Sequence, residues 1–131
     1  MMAEKKGKQN FKNGSWGDVF KNALSGCLYA FTTQKNFIVH FILSLLVIVL
    51  ALWLKISYER FLFLILAIFL GLTVEMINTT VEKLVDLITE KYHPVAKVIK
   101  DLSAGIMLIV SLGVAMIGFL VLFPPLWQKL F

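Results

Sequence analysis

The sequence predicts an all-α integral membrane protein, with three transmembrane helices and an N-terminal amphipathic surface helix. Three observations predict it. The 131 residues are 59% hydrophobic, well above the ~45–50% of soluble domains. Three apolar runs, 37–54, 61–81 and 102–123, can each cross a hydrocarbon core of about 30 Å at about 1.5 Å per residue. A helical stripe precedes them that is too polar to span. The length allows one domain, 15–131, behind a short basic N-terminus.

Residues 1–14 are rich in Lys, Gly and Asn, a composition expected to be disordered. No cleavable signal peptide is expected, because the first long apolar run begins only at Phe37. Ser15 followed by Asp18 is a capping-box signal for the start of a helix over about 15–33. Trp16, Val19, Phe20, Ala23, Leu24, Cys27, Leu28 and Phe31 recur at helical spacing. Asp18, Lys21, Asn22 and Ser25 take the other face, so this helix should lie in the membrane interface. A stripe packed on protein would look the same. Cys27 is the single cysteine, which excludes an internal disulfide.

A polar break at Thr32–Asn36 leads into the first span, interrupted only by His40 and Ser44. Residues 55–60 read as a short loop and 61–81 as the second span. The polar stretch 82–100 contains Tyr92-His93-Pro94, and Pro94 suits the first turn of a new helix. The third span should stop at Pro124-Pro125. Trp127 then stands where an interfacial anchor belongs.

The net charge of +5 would suit nucleic acid, but the placement of the lysines reads as topology, and no nucleic-acid partner is expected. Lys5, Lys6, Lys8, Lys12, Lys21 and Lys35 precede the first span, and Lys83, Lys91, Lys97 and Lys100 lie between the second and third. The other side holds Lys55, Arg60 and Lys129. The positive-inside rule therefore puts the N-terminus and the 82–100 stretch in the cytoplasm of a multi-pass plasma-membrane protein.

The stretch Gly71–Asp86 carries the chemistry. Glu75, Asn78, Glu82 and Asp86 fall within a wedge of roughly 80° on a helix turning about 100° per residue. Val, Met, Ile and Leu fill the rest of the surface at that depth. Counted from Phe61 at about 1.5 Å per residue, Glu75 lies about 21 Å inward, roughly 9 Å short of the far boundary of a ~30 Å core. A carboxylate at membrane depth costs about 2.5–3.5 kcal/mol at the bilayer centre, which makes it a functional candidate. The plainer reading is three acidic groups snorkelling to the interface at a helix end, but Glu75 lies too far inside the run. Glu75 reaches the depth of a lipid's polar end, and the others reach the cytosol. Carboxylates for Mg²⁺ and a lysine for phosphates are the parts that phosphoryl transfer requires.

The strings Glu75-Met76-Ile77-Asn78-Thr79-Thr80-Val81-Glu82, Asp86, Tyr92-His93-Pro94 and Lys100-Asp101-Leu102-Ser103-Ala104-Gly105 resemble the prokaryotic diacylglycerol kinase family, in particular its Gram-positive undecaprenol kinase branch. Gln34-Lys35-Asn36-Phe37 with His40 adds to the match, which covers about residues 20–123. The resemblance implies a membrane-embedded homotrimer of three-helix subunits that uses ATP and Mg²⁺ to phosphorylate a lipid alcohol. It implies Glu75 as the base for the lipid hydroxyl, with Phe37 also at the lipid. It makes Glu82 a metal ligand, with Gln34 at the position of the second. Gln34, Asn78, Glu82, Asp86, Lys91, Tyr92, His93, Lys100 and Asp101 would surround ATP. The family has no P-loop, and this chain has none.

Two departures stand out. The family carries Glu where this chain has Gln34, which offers an oxygen without charge, so weaker Mg²⁺ binding is expected. The family also tends to carry an Arg near the start of the surface helix. The matching residues here are Gly14-Ser15, and the only Arg is Arg60. Undecaprenol is the expected substrate on branch resemblance, with diacylglycerol the alternative. A non-catalytic membrane subunit or an ion path is a different class that the same carboxylates could serve.

Other residues have plainer readings. His93 lacks a neighbouring His and reads as a loop residue, and His40 reads as a packing or interfacial group. Ser111 and Ala115, with Gly105, Gly113 and Gly118, suggest close helix packing. Ser103-Ala104-Gly105 could make room for a nucleotide or for a helix.

Overall fold

The structure, a computed structural model, describes residues 14–131. The segment expected to be disordered, 1–14, lies outside the described residues except for Gly14. Four helices follow: α1 (Trp16–Thr33), α2 (Lys35–Leu54), α3 (Tyr58–Ile88) and α4 (Pro94–Leu130). The last three are each long and apolar enough to cross a membrane.

The capping box starts α1. Ser15 Oγ accepts from the Asp18 amide at 3.3 Å, and the Asp18 carboxylate accepts from the Ser15 amide at 3.0 Å. Trp16, Phe20, Leu24 and Leu28 are exposed along its apolar stripe. Its last turn packs on α2, where Phe31 meets Phe37 and Phe41 edge-on, at 5.2 and 4.5 Å between ring centroids.

The expected break at 32–36 shrinks to one residue. Thr32 and Thr33 donate to the Leu28 and Tyr29 carbonyls one turn back. That satisfies their hydroxyls without leaving the helix. Gln34 alone is extended (φ −105, ψ 103), and α2 begins at Lys35.

At the far end of α2, Lys55 turns the chain in the left-handed region (φ 52) and is the sole non-glycine there among the described residues. Its amide donates to the Leu52 carbonyl, and the Ile56 amide donates to that of Ala51. This crossed pair of bonds satisfies the last carbonyls of a helix. Ile56 packs on a cluster of Ala51, Leu54, Leu64 and Leu122, so α3 can start at Tyr58 rather than Phe61.

α3 and α4 form the main seam. Lipid tails are as apolar as Leu, so helices in a bilayer are held by close packing rather than by expelling water. Ala67 and Gly71 serve that purpose on α3. A Cβ added at Gly71 would stand 3.8 Å from Val114 of α4. The same test finds open space at Gly105, Gly113 and Gly118, so within one chain these glycines are not close-approach points.

The 31 residues of α3 reach about 46 Å at 1.5 Å each. The helix continues through the stretch expected to be polar connection, because Val81, Leu84, Val85 and Ile88 keep the helical period and no Gly or Pro interrupts it. Only Thr89–His93 is non-helical there. His93 then caps α4, its Nδ1 accepting from the Val95 amide at 3.3 Å, with Pro94 in the first turn.

Pro124-Pro125 does not stop the third span. α4 runs through both prolines to Leu130. The prolines remove two amide donors, yet their fixed φ suits a helix, and side chains hold the last turns. Phe119, Phe123, Trp127 and Phe131 form a ladder with centroids 4.6 to 6.0 Å apart. Lys129 Nζ donates to the Trp53 carbonyl at 2.8 Å and lies 3.9 Å over the Trp53 ring.

Candidate active site

The face of α3 turned toward α2 and α4 is one stripe. Its first half, Leu64, Ala67 and Gly71, is apolar and buried. Its second half continues at the same helical spacing as Glu75, Asn78, Glu82 and Asp86. Glu75 is only 2% exposed and Asn78 7%, so the innermost carboxylate of the wedge is turned into the bundle.

Asn78 is the crosspiece. Its Oδ1 accepts from Ser103 Oγ of α4 at 2.7 Å, and its Nδ2 donates to Glu82 Oε1 at 3.3 Å. Ser103 is itself buried. Both polar ends of the amide are therefore used, and Glu82 is steered from α4 through Asn78. One turn beyond Glu82, Asp86 Oδ1 accepts from Lys100 Nζ at 2.6 Å. Both partners there are half-exposed, so water screens the pair. Asp101 pairs with Lys97 on the outer face of α4 and not with Lys100.

Two residues of α2 approach the Glu75 carboxylate, Asn36 and His40. They are one turn apart, and Ser44, one turn further, donates back to the His40 carbonyl at 2.7 Å. Asn36, His40 and Ser44 thus stand at i, i+4 spacing on α2, a polar line opposite Gly71 and Glu75. That spacing was visible in the sequence, but the partner it faces was not. Phe37, expected at the lipid, is buried at the α1–α2 corner.

Other expected site residues sit apart. The Gln34 side chain is half-buried, and its Nε2 donates to Thr33 Oγ1 at 2.9 Å. This leaves the amide oxygen as its acceptor. Lys91, Tyr92 and His93 lie in the exposed connection between α3 and α4. Lys91 is tied there through backbone bonds to the Thr89 hydroxyl. His93 spends Nδ1 on the helix cap. Among the described residues, no three His, Cys, Asp or Glu are grouped so as to hold a metal by themselves.

Beyond His40 a hollow of about 690 Å³ runs between α2, α3 and α4. Ser44 and Ser111 are its polar members besides His40, and Val47, Ile68, Leu122 and Phe123 line its further part. The polar wedge thus opens onto an apolar trough.

Residues 21–122 match the prokaryotic diacylglycerol kinase family. A diacylglycerol kinase of Synechocystis sp. is 36% identical over 108 residues, 82% of this chain and 62% of that protein. The undecaprenol kinase of Bacillus subtilis is 32% identical over 107 residues, 82% of this chain and 87% of that protein. A diacylglycerol kinase of Helicobacter pylori is 43% identical over 68 residues, about half of each chain (52% and 53%). The chain thus spans less than two thirds of the Synechocystis relative and most of the Bacillus one. The match takes in α2 and α3 whole and about three quarters of α1 and of α4, and on it the chain belongs to the prokaryotic diacylglycerol kinase family.

Proposed function

We propose that this chain is a membrane lipid kinase that transfers the γ-phosphoryl group of ATP to the hydroxyl of a lipid alcohol. The observation that carries this is a buried Glu75 at the junction of two environments. On one side lies the apolar trough; on the other lies the Asn78–Glu82–Asp86–Lys100 line running to the polar ends of α3 and α4. A lipid tail in the trough would leave its hydroxyl at Glu75. The Glu75 carboxylate takes the hydroxyl proton as the alcohol oxygen bonds to the γ-phosphorus and the bond to the ADP oxygen breaks. Asn36 and His40 orient that carboxylate. Lys100 meets phosphate oxygens, and Asp86 keeps its ammonium in place until they arrive. Asp101 and the Lys91-Tyr92-His93 connection border the nucleotide.

Mg²⁺ commonly keeps several waters and takes one or two protein oxygens together with phosphates. Glu82 fits that mode and would hold the ion. Gln34, which sits apart from Glu82 in this structure with its amide oxygen turned from Thr33, would be the second oxygen once the phosphates are in place. The ion, when bound, spreads the negative charge of the phosphate chain. The cytoplasmic side of the membrane is then the Lys100 end, where ATP is found, with α1 in the interface on that side. The working unit is a homotrimer, for which the many exposed apolar side chains of one chain leave room.

Undecaprenol is the preferred substrate, and diacylglycerol the second. Both are named among the relatives, and the trough accepts either tail. An ion path is disfavoured because no polar line continues along the trough beyond Ser44 and Ser111. Purified protein given labelled ATP with undecaprenol or with diacylglycerol tests the reading. Faster labelling of undecaprenol supports it, a preference for diacylglycerol moves the substrate, and no labelling of either removes the kinase.

A further inference from the structure

We propose that the end of the bundle remote from Glu75 carries a binding site for the phosphate-bearing headgroup of an anionic membrane lipid. The end of α2, the start of α3 and the end of α4 border an open hollow of about 560 Å³ there. Lys55, Ser57, Glu59, Arg60, Gln128 and Lys129 line it. Its three cations come from three different helix ends. Among the described residues, neither Lys55 nor Arg60 makes an ion pair. Lys129 is positioned by Trp53. Glu59 cancels one charge and leaves the hollow positive. Ser57 precedes α3 without a side-chain cap bond, so the positive end of that helix opens to the same space.

Lys55 gives an independent reason. Its backbone is left-handed, a conformation that glycine adopts without strain and that usually falls to glycine at a helix end. The lysine at this position lines the hollow, and strain of this kind collects at functional positions. Depth identifies the ligand as a lipid. Lys55 follows the last apolar residue of α2 directly. Trp53, Tyr58 and Trp127 ring this end, at least half exposed, and aromatic residues of this kind sit at headgroup level. The hollow is also far larger than the ~30 Å³ share of a single water or small ion. It has room for a headgroup phosphodiester with its glycerol, which would meet the cations together. This site does not rest on the kinase reading, because it lies at the opposite end of the helices from Glu75.

The test uses the full chain with Trp16→Phe, so that fluorescence reports Trp53 and Trp127, in neutral detergent. Bromine-labelled phosphatidylglycerol should quench saturably, at a mole fraction at least tenfold lower than bromine-labelled phosphatidylcholine. Millimolar inorganic phosphate should not reverse it. Lys55→Gln with Arg60→Gln should weaken the phosphatidylglycerol response about 25-fold, from about fivefold per cation near a membrane surface. Lys55→Gly should weaken it about fivefold while leaving the melting temperature unchanged or higher, so a loss there is not unfolding. Equal quenching by the two lipids, displacement by inorganic phosphate alone, or variants that bind like the parent would each overturn the site.

Discussion

Ser103 and Asn78 meet at 2.7 Å inside the α3–α4 seam, the one buried side-chain hydrogen bond between these helices among the described residues. Because the same Asn78 amide also donates to Glu82, a serine on one helix sets the position of a carboxylate on another. Replacing Ser103 with Ala leaves Asn78 Oδ1 buried and unpaired, which costs about 1–3 kcal/mol. The expected outcome is a lower midpoint of unfolding together with a higher Mg²⁺ requirement. A fall in stability with unchanged Mg²⁺ dependence would separate Asn78 from the metal.

Gln34→Glu adds a charge at the amide that points its oxygen away from Thr33. On the proposed ligand set, this variant reaches half-maximal activity at a lower Mg²⁺ concentration than the parent chain. A requirement that is unchanged or higher removes Gln34 from the set.

Lys100 and Asp86 form a half-exposed pair, and such pairs contribute about 0–1 kcal/mol to stability. Lys100→Met should therefore unfold nearly like the parent while KM for ATP rises at least tenfold. A large loss of stability with normal KM would make the pair structural.

Lys129 ties the proline-containing end of α4 to Trp53. Lys129→Met removes a hydrogen bond from a charged donor and a cation–π contact, together about 1–3 kcal/mol at a partly exposed position. Trp53 emission should shift and the end of α4 should exchange amide hydrogens faster, with catalysis little changed. Unaltered exchange over 126–131 would mean that the aromatic ladder alone holds this turn.

Local pattern carried much of this architecture, and pairing across the chain carried the rest. The three spans follow from the length of the apolar runs, and the capping box at Ser15 and the wedge from Glu75 to Asp86 from helical spacing, all of which a sequence displays directly. The Asn78–Ser103 and Asp86–Lys100 bonds join residues on different helices, and nothing local announces them. Ser103 could equally have been a spacer. Asn36 and His40 stood in view, but only the packing of α2 on α3 turns them toward Glu75. Pro124-Pro125 misled because proline breaks a helix by removing donors, whereas here Lys129, Leu126 and the aromatic ladder hold the turn from outside the backbone. Lys55 in a left-handed turn was hidden for the converse reason, since that conformation points to glycine.

The most direct test is phosphoryl transfer from ATP to undecaprenol by purified protein with Glu75→Gln, an exchange close to isosteric that keeps hydrogen bonding and removes the base. A group acting as general base contributes about 10²–10⁴-fold to the rate. The account predicts a fall of that size, with unfolding and ATP binding close to those of the parent chain. A variant that still phosphorylates the lipid within a few-fold of the parent rate would contradict it.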